Sequence, residues 1–291
     1  MTVGTGVDPD LVLARQAAET AARAAGVSVR EVRSLPEMAG VVTLFNSIWG
    51  DSRPPVSVEL LRALSKAGSY VSGAYRDGEL VGACVGFFHA PAEDALHSHV
   101  AGVSSGSVGR NVGFALKQDQ RAWVLERGVG AISWTFDPLI GRNAYFNLAK
   151  LGAAAVEYLP DFYGPMKDQI NGDEDSDRLL VHWRLRGPRA VQAAAGVPVA
   201  VSTAGAVVAL GRDGAGRPEP GRTNGELSLV AVPTNVTNLR LNNPALAREW
   251  RVRVRETLQE LLSQGARVTG FDKDGGYVVA RESARLEGNN A

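Results

Sequence analysis

A single cysteine, Cys84, in 291 residues excludes an intrachain disulfide and fits a reducing compartment, so the expected location is the cytoplasm. Charge of one sign is not in excess either. Thirty-one basic residues face 31 acidic ones, for a formal net charge of zero. Nucleic acids are held by neutralising their phosphates, and this balance offers no footprint for them. No apolar run approaches the roughly 18 residues of a membrane span. The opening MTVGTGVDPD has no basic stretch and no apolar core, so it is not expected to act as a secretory leader. No G-x-x-x-x-G-K-[ST] string occurs, which removes the common nucleoside-triphosphate loop. Cys84 lies within the apolar VGACVGFF and reads as a small buried hydrophobe rather than a reactive thiol.

What is present is a chain 45% hydrophobic, enough for a proper core. An Ala-rich helix runs up to a stop at Gly26, and VSVREVRSL alternates like a strand. Two short helices are expected over 36–49 and 57–67, separated by GDSRPP. Two strands joined at Arg76-Asp77-Gly78 carry a strong hairpin signal. A fourth strand covers 96–103, a helix runs from about 112 to 127, and AISWTFDPL is a fifth strand. A short helix ends at Gly152, and AAAVEYLPDFYG and DRLLVHWRL read as two more strands. Beyond 187, PVAVSTAGAVVAL and LSLVAVP read as strands, with 211–226 between them as an exposed, mobile loop. A helix after Asn243 and Pro244 buries Leu246, Trp250, Val254, Leu258 and Leu261 or Leu262, and two strands close the chain.

The segment SSGSVGRNVGFALK, 104–117, follows a strand and opens a helix. Strand, Gly-rich turn and helix N-terminus together offer main-chain N–H groups to phosphate oxygens. The string Arg110-Asn111-Val112-Gly113-Phe114-Ala115 and the shifted window Val108 to Gly113 are the two ways to align that turn. In either, Gly113 permits close backbone approach and the amides of 109–115 are the donors.

The order β-α-α-β-β-β-α-β-α-β-β over 27–185, with the Gly-rich turn after the fourth strand, resembles the GNAT superfamily of acyl-CoA N-acyltransferases. LHSHVAGV, GFALKQDQRAW and WTFDPLIGRNAYFNLAKLGA are similar to a bacterial subgroup of predicted GNAT acyltransferases, as is the stretch from DFYG to HWRL. The resemblance implies a mixed, mostly antiparallel α+β sheet flanked by helices. It divides the chain into a helical extension 1–26, an acyltransferase domain 27–187 and a C-terminal α/β subdomain 188–291. It also implies a Q/R-x-x-G-x-G/A signature that holds coenzyme A. The literal match starts at Arg110, but the usual distance from the strand end, Val103, favours the start at Val108. Val108 then replaces Gln or Arg, and Asn111, the non-glycine residue most tolerant of positive φ, replaces the first Gly. The cofactor set implied is Val103, Ser104, Val108, Gly109, Arg110, Asn111, Val112, Gly113 and Phe114, with Asn143 and Asn147 on one helix face. Acetyl-CoA is the default donor, succinyl-CoA an option with an amino-acid acceptor, and no metal is expected.

Amide formation from a thioester needs a neutral amine, help for an oxyanion and a proton for the leaving thiolate. By alternation His97, His99 and Ala101 share one face of the fourth strand, and Ser98, Val100 and Gly102 the other. An imidazole near pKa 6.5 suits deprotonating an ammonium, so His99 is the expected base and His97 the second candidate. The family's acid is a Tyr four residues before the closing Gly of the helix, where this chain has Leu148. Tyr145 and Tyr163 are the substitutes. For the acceptor, Asp137 could hold a cation or form an Asp-Pro turn, with Trp134 beside it on the same strand. Arg178 could grip a carboxylate or pair with the acids of 157–177. The expected partner is a small-molecule amine. A second reading, from the departures at Val108, Asn111 and Leu148, is a coenzyme-A-binding or regulatory module without catalysis. The C-terminal hundred residues could extend the sheet, wall the acceptor pocket or form a homodimer surface.

Overall fold

The computed structural model describes residues 8–50, 55–164 and 174–281. They fall into two compact units, residues 8–134 with 184–195 and residues 135–183 with 196–281, so this division runs through the fifth strand.

Unit 1 opens with α1 (Pro9–Ala25), capped by Asp8 and closed by Gly26 in the left-handed region at φ 62°. Strand β1 (Ser28–Glu31) leads to α2 (Leu35–Trp49), whose start is a capping box between Ser34 and Glu37. That box and Arg30 hold the Glu37 carboxyl down at about 2, the Ser34 amide contributing most. Helix α3 (Val58–Lys66) follows. The hairpin β2 (Tyr70–Arg76) and β3 (Glu79–Phe88) turns at Asp77 and Gly78, both at positive φ, as a two-residue turn matched to strand twist requires. β4 (Ala95–Val103) pairs antiparallel with β3. α4 (Val112–Glu126) leads to β5 (Ala131–Phe136), which pairs parallel with β4. The strand order is β1-β2-β3-β4-β5. Met38, Val41, Phe45, Leu61, Ala83 and Val85 form the core under α2 and α3.

Unit 2 holds α5 (Gly141–Tyr145), running into a π turn at Phe146–Lys150, then β6 (Ala154–Leu159) paired antiparallel with β7 (Arg178–Arg184). Helix α6 (Pro188–Ala194) belongs to unit 1. Its start at a Gly-Pro pair was not anticipated from the sequence. β8 (Val207–Arg212), β9 (Pro218–Pro220), β10 (Leu227–Ala231), α7 (Val236–Asn242), α8 (Pro244–Ser263), β11 (Arg267–Asp272) and β12 (Gly276–Ala280) complete unit 2. Its second sheet has the order β11-β12-β10-β8-β9. Two expectations are corrected here. The strand read over 198–210 is confined to β8, and 198–206 stays irregular. The stretch 211–226 is not simply a loop: β8 and β9 form a hairpin whose turn is organised by Asp213, which accepts from the amides of Ala215 and Arg217. Trp250 donates to the Gly216 carbonyl and pins that turn to α8. α8 starts as expected, the Asn243 side chain accepting from the Leu246 amide. Its buried face carries Trp250, Val254, Leu258 and Leu261, and also Arg251.

Candidate functional site

The phosphate-type turn follows directly from β4. Ser105–Ser107 form one 3₁₀ turn, Gly109 stands at φ 83°, and Asn111 at φ 58° and ψ 16° is the residue from which α4 springs. Asn111 thus takes the backbone conformation that the alignment starting at Val108 demands of it. No described side chain caps this end of α4, which leaves the amides of Val112, Gly113 and Phe114 without an intrahelical acceptor, whereas the expected donors Arg110 and Ala115 give their amides to the Ser107 and Asn111 carbonyls. Val108, Gly109 and Arg110 are exposed, Val112 is buried, and Gly113 and Phe114 are half-buried. Val103 and Ser104 end the strand half-buried, and the Ser104 amide is taken by the Val81 carbonyl at 2.9 Å. That hydrogen bond removes the Ser104 N–H from the main-chain donors that the implied cofactor set could offer.

A cleft of about 550 Å³ opens beside the turn, lined by Arg23, Ala24, Ala25, Gly26, Arg76, Arg110 and Asn111. Three guanidinium groups therefore border it. Arg76 is fixed by bonds to the Ser107 hydroxyl and the Ala25 carbonyl, both 3.0 Å. Guanidinium groups suit phosphate oxygens through paired donors. Arg23 and Arg76 were not legible as site residues because α1 and the β2 hairpin are remote from the turn in sequence.

The histidines sit at an irregularity that alternation does not predict. Val85 pairs with Val100 and Gly86 with Ser98, so His99 is one extra residue, a β-bulge. The bulge inverts the face pattern beyond it. Ser98 and Ala101 share the face of α4, since their partners Gly86 and Cys84 share a face with Gly82, whose missing Cβ would meet Val112 and Leu116. Val100 and Gly102 lie on the α2 face, a Cβ on Gly102 meeting Ile48 and Trp49. The expected grouping of Ala101 with His97 and His99 is corrected for this reason. His97 and His99 do lie together, their ring centres 6.2 Å apart and 5.2 and 5.8 Å from Phe87. His99 is exposed and His97 half-buried. Burial, then the charges of His99, His89 and Lys117, push the His97 pKa down to about 4, so this ring is neutral at physiological pH. The β4–β5 ladder covers Ala95–His97 against Ala131–Ser133 and stops there, although β4 continues to Val103.

Trp134 is buried, and the Lys117 ammonium lies 4.0 Å over its ring. Its π face is therefore engaged by the chain's own cation.

The remaining candidates lie in unit 2. Asp137 is buried and engaged by two arginines: Arg240 Nη2 at 2.7 Å, and Arg251 Nη1 and Nη2 at 2.9 and 3.0 Å. Burial raises its pKa, but Arg251 and Arg240 outweigh this and hold it well below the usual carboxylate range. Its Oδ1 also accepts from the Leu139 amide, the Asp-Pro turn considered in the sequence reading. A substrate cation at Asp137 would have to compete with both guanidiniums. Glu174 joins the same network through Arg240 at 3.1 Å. Arg178 is buried, donates to the Asp177 main-chain oxygen at 2.8 Å and lies 5.2 Å from the Tyr163 ring centre. Among the described acids of that stretch, Asp177 is engaged by Arg255 and Tyr158, and Asp175 by Arg255. Asp168 and Asp173 lie outside the described residues. Tyr163 is exposed, with its hydroxyl 3.2 Å from Thr135 Oγ1. Tyr145 and Asn143 are half-buried, Asn147 is buried, and Leu148 is buried within the π turn.

Among the described residues no group of three or more His, Cys, Asp or Glu is placed to hold a metal, and no helix is long and apolar enough to cross a membrane. No protein-family model matches the chain, and no curated protein matches it significantly. Solved structures do. The ribosomal-protein-S18-alanine N-acetyltransferase of Escherichia coli aligns at 11% identity over 62% of this chain and 97% of its own, with a TM-score of 0.44. The ribosomal-protein-alanine N-acetyltransferase of Brucella melitensis aligns at 17% identity over 54% and 99%, with a TM-score of 0.44. An aminoglycoside 6'-N-acetyltransferase complexed with coenzyme A aligns at 16% identity over 55% and 98%, with a TM-score of 0.43. From β1 to β7 the elements form a mixed α/β fold with mostly antiparallel strand pairing and a glycine-rich entry to α4.

Proposed function

We propose that the chain is an acyl-CoA-dependent N-acyltransferase that transfers its acyl group directly to the amine of a small molecule. The observation that carries this reading is the run from β4 to α4: a bulged strand presenting two imidazoles, then a left-handed Asn111 that opens α4 with its first amides lacking an intrahelical acceptor. Those amides, with Arg110 and the Arg76 and Arg23 side chains beside the cleft, supply donors for a diphosphate. Coenzyme A would be held there by the turn residues 108–114, with acetyl as the default acyl group and succinyl as the option for an amino-acid acceptor. His99 acts as the base: it is exposed and on the histidine face, whereas His97, with its depressed pKa, orders the pair. Tyr145 or Tyr163 protonates the thiolate. Arg178, Trp134 and Asp137 are the candidate acceptor contacts, with Asp137 weakened by its two arginines.

One observation favours a second reading. Leu148, at the family's acid position, is buried and offers no proton. A coenzyme-A-binding module without turnover would tolerate that residue. Calorimetry with coenzyme A, then thiol release from acetyl- and succinyl-CoA across a panel of amines, separates the readings. Binding with amine-dependent thiol release supports the enzyme. Binding without release supports the module, and absence of binding to any acyl-CoA overturns both.

A further inference from the structure

Three residues that the proposed reaction does not use are joined in a line within unit 1. His89 Nδ1 lies 2.6 Å from Glu93 Oε2, and His89 Nε2 lies 2.9 Å from the Ser133 hydroxyl. A carboxylate only accepts, so the Nδ1 proton is directed at Glu93. The Nε2 lone pair is then left for the Ser133 O–H. An imidazole so oriented can take a hydroxyl proton as the oxygen attacks a carbonyl.

The position of Ser133 gives this line a use. It is the last rung of the β4–β5 ladder and the direct partner of His97, whose ring centre is 6.0 Å from that of His89. Beyond that rung β4 continues from Ser98 to Val103 without a further ladder to β5, so amides on that edge can face an oxyanion. Glu93 is largely exposed and His89 partly so, which leaves the outer end of the line open to water.

We propose that Ser133 is an activated nucleophile able to carry an acyl group as an ester, with His89 as its base and Glu93 as the residue that positions His89. Ser133 Oγ bonds to the acyl carbon while its proton passes to His89 Nε2. The carbon–sulfur bond of a thioester then breaks, its electron pair leaves on sulfur, and His89 returns the proton to give free thiol. Water attacks the ester in turn, giving its proton to His89, the carboxylic acid leaves, and the serine hydroxyl is restored by the same imidazole. For a coenzyme A thioester as donor this inference rests on the proposed function; for the nucleophile itself it does not.

The test uses the full chain and p-nitrophenyl acetate, a small ester chosen because Ser133 is only 7% exposed. Nitrophenolate release is followed and the adduct located by peptide mass spectrometry. The expected result is an acetyl ester at Ser133, absent in Ser133→Ala, with release slowed about a hundredfold or more in His89→Gln. Glu93→Gln should slow release too, and Glu93→Asp should restore part of it, which a merely structural loop residue would not do. Circular dichroism checks that each variant is folded. Absence of a Ser133 ester, or release unchanged in folded Ser133→Ala or His89→Gln, overturns the proposal. The two readings fail separately: a protein acylated at Ser133 that binds no coenzyme A loses the proposed function alone. One that acylates amines from acyl-CoA with no Ser133 ester loses this inference alone.

Discussion

The ammonium nitrogen of Lys117 lies 2.7 Å from the hydroxyl oxygen of Ser98, and both side chains are buried against the α4 face of the sheet. Gln120 Oε1 accepts a second bond at 3.1 Å, and the Trp134 ring closes the site. The described surroundings hold no carboxylate bonded to this cation. Burial pushes its pKa down to about 8.

Stability should therefore rise with pH where other proteins decline. The unfolded lysine keeps its proton to about 10.5, whereas the folded one releases it near 8. Between these values the unfolded chain binds more protons, so the folded state gains as pH increases. The gain attributable to Lys117 is on the order of 3 kcal/mol across the window. Urea unfolding at pH 7.5 and pH 10 should show this increment in the wild type and its loss in Lys117→Met.

His97 predicts the acid side. Its folded pKa near 4 lies below the ordinary 6.5, so an unfolded chain takes up a proton that the folded one refuses. Stability is full above about pH 6.5 and is lost as pH falls toward 4. His97→Gln should flatten that part of the unfolding curve. His99→Ala should instead reduce acyl transfer, about a hundredfold or more, with stability nearly unchanged. Full activity in a folded His99→Ala protein would remove His99 as the base.

Asn111 separates backbone from side chain. Asn111→Gly keeps the left-handed turn and should keep coenzyme A affinity within about threefold, since the donors are main-chain amides. Asn111→Val places a β-branched residue at φ 58°, which costs on the order of 1–3 kcal/mol. Calorimetry should then register weaker binding, and thermal melting a lower midpoint.

Arg251 is the stability test in unit 2. Arg251→Met removes two of the bonds to the buried Asp137 carboxylate and leaves Arg240 as its remaining guanidinium partner. Breaking a buried pair from one side costs about 3–5 kcal/mol, and Arg240 places this variant at the lower end. The double variant Arg251→Met with Asp137→Asn should recover part of the loss in urea unfolding.

Local chemistry was legible in the sequence. The Asp77-Gly78 turn, the Asn243 cap, the Gly26 stop and the positive φ at Asn111 each follow from what one residue or its neighbours can do. The bulge was not, because one extra residue changes neither the composition nor the β-propensity of LHSHVAGV. For Asp137 the Asp-Pro turn was legible but the arginines were not, because Arg240 and Arg251 are more than a hundred positions away. The Glu93–His89–Ser133 line was missed for the same reason: Ser133 is 44 residues from His89, and a serine inside a strand carries no signal of its own.

The unpaired place of His99 in β4 has one more consequence. Both flanking rungs are set by their own partners on β3, so excising this single residue would let the two strands zip without displacing anything downstream. A shortened chain lacking only that imidazole should still fold, and evolution could switch the chemistry off there by dropping three nucleotides.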